Sequence, residues 1–121
     1  REGNDDRAIA TTVIGDVKGK NAIIFDDEID TAGSMIQTVE ILEKFGAKSI
    51  YAGCTHGVLS GKAIERIKNS AIREMVITNT IPLPKEKQID KIKVLTIAPT
   101  FAEAIKRIHE EKSLGDFLKV Y

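Results

Sequence analysis

The chain has 121 residues, 42% of them hydrophobic, which suffices for one domain with a buried core. Its 18 Lys+Arg balance its 18 Asp+Glu, so the formal net charge is zero and the basic footprint of a nucleic-acid binder is missing. The single cysteine, Cys54, excludes an internal disulfide framework, and no apolar run reaches the length of a bilayer span.

A reducing, cytoplasmic setting is expected, with no membrane and no nucleic-acid partner. The opening "REGNDDRAIA" lacks an initiator methionine and carries charge before any apolar pattern. It reads as a cut inside a longer protein, with residues 1–15 a linker or the remnant of a flexible loop.

Four apolar, β-favouring runs follow: "NAIIF" (21–25), "SIYAGC" (49–54), "EMVIT" (74–78) and "KVLTI" (93–97). Between the first two, Met35, Ile36, Val39, Leu42 and Phe45 keep helical spacing, and Gly46 is a natural stop. Ala63, Ile64 and Ile67 predict a shorter helix after the second run. Phe101, Ile105 and Ile108 predict another after the fourth, with Thr100 and Glu103 spaced as a capping box and Pro99 outside it. The segment 83–92, "LPKEKQIDKI", resembles a linker but is too short to divide domains. Strands alternating with helices predict one α/β domain over 1–121, an open, mostly parallel sheet flanked by helices. Ligands of such sheets gather at the carboxyl ends of the strands. The unusual residues fall there: "DDEIDTAGS", "THGVLSG", "NTIPLP" and "APT".

The first of these loops carries the most chemistry. Thr31, Ala32, Gly33 and Ser34 are small, so backbone N–H groups can converge on an anion at the start of a helix near Ser34. Thr31 and Ser34 add hydroxyls, and a phosphate monoester is the natural guest. Asp26, Asp27 and Glu28 would repel a phosphate laid on them. They suit a ligand with a second, hydroxylated end, whose vicinal diol they hold directly or through a magnesium ion. A sugar phosphate has that form. The plain alternative is a strand end followed by a helix capped by Thr or Asp. The pair Asp26–Asp27 directly after four apolar residues, with Asp30-Thr31-x-Gly33-Ser34 behind it, favours the ligand.

This loop resembles the phosphoribosyl-diphosphate (PRPP) motif of type I phosphoribosyltransferase folds. Together with "GDVKGKNAIIFDDEIDTAGSM", "THGVLSGKA", "VITNTIP" and "AEAIKRIHEEKSL" in that order, residues 12 to 118 resemble the C-terminal half of the ribose-phosphate pyrophosphokinase (PRPP synthetase) family. The resemblance implies transfer of diphosphate from ATP to ribose 5-phosphate, giving PRPP and AMP, with Mg2+ required. It places the 5-phosphate on Asp30, Thr31, Ala32, Gly33 and Ser34, and the ribose hydroxyls or indirect magnesium on Asp26 and Asp27. It also implies that ATP is held by an N-terminal half or a neighbouring subunit, in a homo-oligomer, dimeric or hexameric. The family's Lys-Arg-Arg loop lies upstream, and Arg1 is a candidate last residue of it. The chain alone is expected to bind the sugar phosphate without catalysing the reaction.

His56 reads as a structural hydrogen-bonder rather than a catalyst, and His109 as a surface residue. Asn79 to Pro82 reads as a turn. In the tail "KSLGDFL", the family segment has two serines that help bind regulatory phosphate or ADP. Ser113 matches the first, but Gly115 replaces the second, whose N–H remains able to meet an anion. The rival readings are a PRPP-dependent phosphoribosyltransferase acting on a base and a non-catalytic regulator of the same fold. The first needs a hood that the sequence does not show, and the second often degrades the acidic pair or glycine that are intact here. A response-regulator receiver is rejected, because Thr78, Asn79 and Thr80 stand where its acceptor aspartate belongs.

Overall fold

A computed structural model describes residues 14–119. Strands β1 (Asn21–Ile29), β2 (Ser49–Gly57), β3 (Ile72–Thr78) and β4 (Ile92–Leu95) form one sheet in that order, every neighbouring pair parallel. Helix α1 (Gly33–Lys44) connects β1 to β2, and α2 (Ala63–Asn69) connects β2 to β3. A single 3-10 turn, Lys85–Lys87, interrupts the third crossover, and α3 (Ala98–His109) and α4 (Gly115–Leu118) follow β4.

All four expected strands are present, but β1 and β2 run further than their apolar stretches. Asp26 pairs with Cys54 and Glu28 with His56, so the acidic pair and the histidine belong to the sheet rather than to the loops beyond it. The ladder is made by backbone groups and continues while its neighbour continues. On β1, an edge strand among the described residues, exposed charge costs little.

The winding explains where the core lies. Parallel crossovers are right-handed, so adding each strand on the same side of the last sends successive crossovers over the same face. Met35 and Val39 of α1 and Ala63 and Ile67 of α2 therefore share one buried cluster with Ile50, Ala52, Met75 and Ile77. The opposite face has no such cover among the described residues. Ile23 is 60% exposed and Phe25 75%, while Ala22 and Ile24, alternating with them, pack against the core.

The third crossover is not a linker. Leu83 and Ile89 pack against the core, and Gln88 Nε2 donates to the Leu83 carbonyl at 3.2 Å. The Lys91 ammonium donates to the Ser70 carbonyl at 2.6 Å and so closes the C-terminal end of α2, where positive charge is favoured.

The expected capping box of α3 does not form. The helix begins at Ala98 with Pro99 in its first turn, a favoured place, so Thr100 and Glu103 lie inside it. Its entry is held instead by Thr96, whose hydroxyl accepts the Ala98 N–H, and by Asn79, whose carbonyl oxygen accepts the Ile97 N–H at 2.9 Å. Glu103 pairs forward with Arg107 at 2.8 Å. The stripe Phe101, Ile105 and Ile108 forms as spaced, yet each residue stays more than half exposed.

Gly57 sits close against the neighbouring strand β3. A Cβ there would stand 3.0 Å from Cδ1 and 3.3 Å from Cγ2 of the fully buried Ile77. Gly57→Ala is expected to cost about 1–3 kcal/mol by overpacking, read as a lower urea midpoint with unchanged slope. Adding Ile77→Val should return part of that loss.

Candidate functional site

Beyond Ile29 the chain turns sharply through Asp30–Ala32 into α1. Three successive carbonyls of this turn are occupied from the β2–α2 side. Ile29 accepts the Leu59 N–H and Asp30 the Ser60 N–H, both at 3.0 Å, and Thr31 accepts Arg66 Nη1 at 2.7 Å. The Ser60 hydroxyl also donates to the Asp30 carboxylate.

Every peptide bond here is trans, so each C=O opposes the N–H that follows it. With the Asp30 and Thr31 carbonyls turned toward Ser60 and Arg66, the Thr31 and Ala32 N–H groups face the other way. Ala32 completes the turn in the left-handed region, φ 61 and ψ 12, as the N-cap of α1, and no side chain caps the helix. The first intrahelical bond is Ile36 N–H to the Ala32 carbonyl at 3.1 Å, which leaves the preceding N–H groups without helical acceptors. The simple capped-helix reading therefore does not describe this turn.

A cavity of about 200 Å³ opens here, lined by Asp26, Glu28, Ile29 and residues 30–35. It brings Asp26 together with Asp30, Thr31, Ala32, Gly33 and Ser34. Asp27 is not among its lining residues. A Cβ on Gly33 would meet nothing nearer than Arg66 Nη1 at 3.7 Å, so the fold alone does not require glycine at this position. A larger groove of about 570 Å³ runs between α1 and α2 past Glu40, Glu43, Lys62 and Arg66. Its charges are spread along two exposed helix faces and do not converge on a point.

A side-chain hydrogen bond with Asp26, then the Glu28 N–H, hold the Asp27 carboxyl below its ordinary range, with His56 contributing. Asp26 Oδ1 accepts the Asp27 N–H at 2.9 Å. Carboxyl groups at a strand end suit magnesium, which takes one or two carboxylates and completes its shell with water and substrate oxygens. Among the described residues no three His, Cys, Asp or Glu side chains form a closed metal site. Asp26 and Asp27 would supply only part of such a shell.

His56 is tied to the next loop: its Nδ1 lies 2.8 Å from Thr80 Oγ1, and Thr80 donates in turn to the Thr55 carbonyl. Asn79 clamps the ends of β3 and β4 through Thr96 and Ile97. Ser113 bonds within the tail, its hydroxyl accepting the Gly115 N–H at 3.1 Å, so that N–H is already engaged. Arg107 holds the Ser113 carbonyl and lies 5.3 Å from the Phe117 ring centre. Arg1 lies outside the described residues. Ser60 and Arg66 are the site residues that sequence reasoning missed. Ser60 stands in the quoted "THGVLSGKA", but nothing local links it to Asp30.

The sequence matches the phosphoribosyl synthetase-associated domain over residues 6–119. The chain belongs to that family. It is 66% identical over 103 residues to the ribose-phosphate pyrophosphokinase of Caldanaerobacter subterraneus, covering 85% of this chain and 33% of the relative. The Bacillus subtilis ribose-phosphate pyrophosphokinase is 52% identical over 103 residues, covering 85% and 32%. The crystal structure of phosphoribosylpyrophosphate synthetase from Mycobacterium smegmatis superposes with a TM-score of 0.79 at 42% identity, covering 81% of this chain and 33% of that one. The family member described here thus spans about a third of the length of the curated relatives it matches. Its parallel α/β fold is the one expected.

One thiol reports on the sheet below the site. Burial, then the Asp26 charge, pushes the Cys54 pKa up from 9.0 to about 11. The thiolate is the reactive form, so alkylation at pH 8 should be at least ~100-fold slower in the folded chain than in urea. Equal rates in a folded sample would mean that Cys54 is not buried beside Asp26.

Proposed function

We propose that this chain is the ribose 5-phosphate-binding domain, the C-terminal half, of a ribose-phosphate pyrophosphokinase. The complete enzyme transfers diphosphate from ATP to ribose 5-phosphate, giving PRPP and AMP for nucleotide synthesis. The observation that carries this reading is a cavity with two chemical ends: uncapped N–H groups at Thr31–Ser34 and a carboxylate, Asp26, on one wall. The names of the relatives at 66% and 52% identity point the same way.

The 5-phosphate lies against the Thr31–Ser34 backbone and hydroxyls, where helix N–H groups and dipole favour an anion. Gly33, for which the fold has no steric need, leaves room for close approach of that ligand. Asp30 serves the phosphate indirectly, since its carboxylate accepts from Ser60 and braces the turn. Asp26 accepts from the ribose hydroxyls, with Asp27 beside it. Magnesium, where bound through these two, supplies positive charge to the diphosphate in transfer.

ATP is held by the remainder of the full-length protein or a neighbouring subunit in a homo-oligomer, and this chain alone is inactive. The one-way winding supports that reading. Ligand crevices in open sheets form where strand order reverses, and β1 is the end of the sheet at which a reversal would place the proposed site. The uncovered Ile23 and Phe25 lie on the face that such added elements would cover. Ser113 is assigned no more than a weak regulatory part, and the engaged Gly115 N–H argues against anion binding there.

Calorimetric titration with ribose 5-phosphate, with and without Mg2+, tests the assignment. Saturable binding is expected in the wild type, weakened at least ~10-fold in an Asp30→Ala, Ser34→Ala double variant through lost charge-assisted hydrogen bonds and bracing. A folded wild type that leaves the sugar phosphate unbound would sink the claim for this chain.

A further inference from the structure

We infer that Arg66 is a positioning residue of the anion cradle, aiming its N–H groups through the Thr31 carbonyl; this rests on the phosphate-binding reading above. The guanidinium starts on α2, at the α1–α2 groove that Arg66 helps to line, and reaches the turn, where Nη1 donates to Thr31 at 2.7 Å. No backbone ladder supplies this contact, because the last β1–β2 pair is Ile29 with Gly57. No ladder partner reaches the Thr31 oxygen, so its hydrogen bond comes from outside the sheet.

Ile29 and Asp30 are held by backbone N–H groups of the β2–α2 turn, so their orientation follows from the fold. Leu59, fully buried with φ 51, fixes that turn. Thr31 is the one carbonyl of the three whose orientation depends on a side chain. It is also the one bonded to the Ala32 N–H, next to the left-handed residue that opens α1. Arg66 thus converts the position of α2 into the direction of the amide at the centre of the cradle. The rigid, planar guanidinium presents its N–H donors in a fixed fork, so committing one to Thr31 sets a direction as well as a contact.

The full chain is titrated by calorimetry with ribose 5-phosphate and, separately, inorganic phosphate, as wild type, Arg66→Met and Arg66→Lys, with thermal midpoints measured in parallel. Arg66→Met is expected to weaken both ligands at least ~10-fold, the loss of one charged hydrogen bond's worth of alignment, with a midpoint within a few degrees of wild type. Arg66→Lys, which keeps a cationic donor, should recover part of that affinity. Wild-type binding retained within twofold in Arg66→Met overturns the positioning role alone. A wild type that binds neither ligand overturns both the functional reading and this inference. If Arg66→Lys recovers nothing while Arg66→Met also loses its fold, the residue is a structural brace and the inference fails.

Discussion

The geometry of the site depends on one constraint: a trans peptide points its C=O and N–H in opposite directions. Donors on the β2–α2 segment take the carbonyls of Ile29, Asp30 and Thr31, so the Thr31 and Ala32 N–H groups turn outward. Ala32 meets that demand by entering the left-handed region, which costs a non-glycine residue about 1–2 kcal/mol. The cost is met by three hydrogen bonds and by burial of the alanine, which is 4% exposed. A strained residue at the head of an uncapped helix is where strain belongs when backbone groups are kept free for a ligand.

The sheet supplies the frame for that turn in a one-sided way. Its strands are added in sequence without reversal, so α1 and α2 share a face and their contact brings Arg66 within reach of Thr31. The same winding leaves Ile23 and Phe25 without cover among the described residues. Burying such side chains is worth about 1.5–3 kcal/mol each, a loss that a domain of this size would not leave standing without other use. Placement of the site and exposure of the sheet thus share one topological cause.

The fold was largely legible in the sequence because apolar runs and helical spacing report directly on burial. What they missed has specific reasons. Asp26 to Ile29 extend β1 because Cys54 to Gly57 continue beside them, and backbone pairing is blind to side-chain charge. Thr100 and Glu103 fit a capping box by spacing, but Asn79 and Thr96 capture the chain earlier and start α3 at Ala98. The Phe101, Ile105 and Ile108 stripe was legible as a stripe, since periodicity reveals an apolar face and not what covers it. Small residues announced the cradle. Its braces were silent: Ser60 and Arg66 lie 30 and 35 residues from their partners, in an ordinary loop and on an ordinary amphipathic helix.

The acidic strand end and the anion cradle do not contradict each other once distance and dielectric are counted. Two unit charges at a separation on the order of 8 Å in a water-like medium repel by about 0.5 kcal/mol. One charge-assisted hydrogen bond from a preoriented N–H contributes about 1.5–3 kcal/mol, and the cradle offers several. A ligand with its phosphate at Thr31–Ser34 and hydroxyls toward Asp26 therefore gains at both ends. By the same count, a ligand anionic at both ends would gain only at the helix end, because its second charge would meet the acidic strand end.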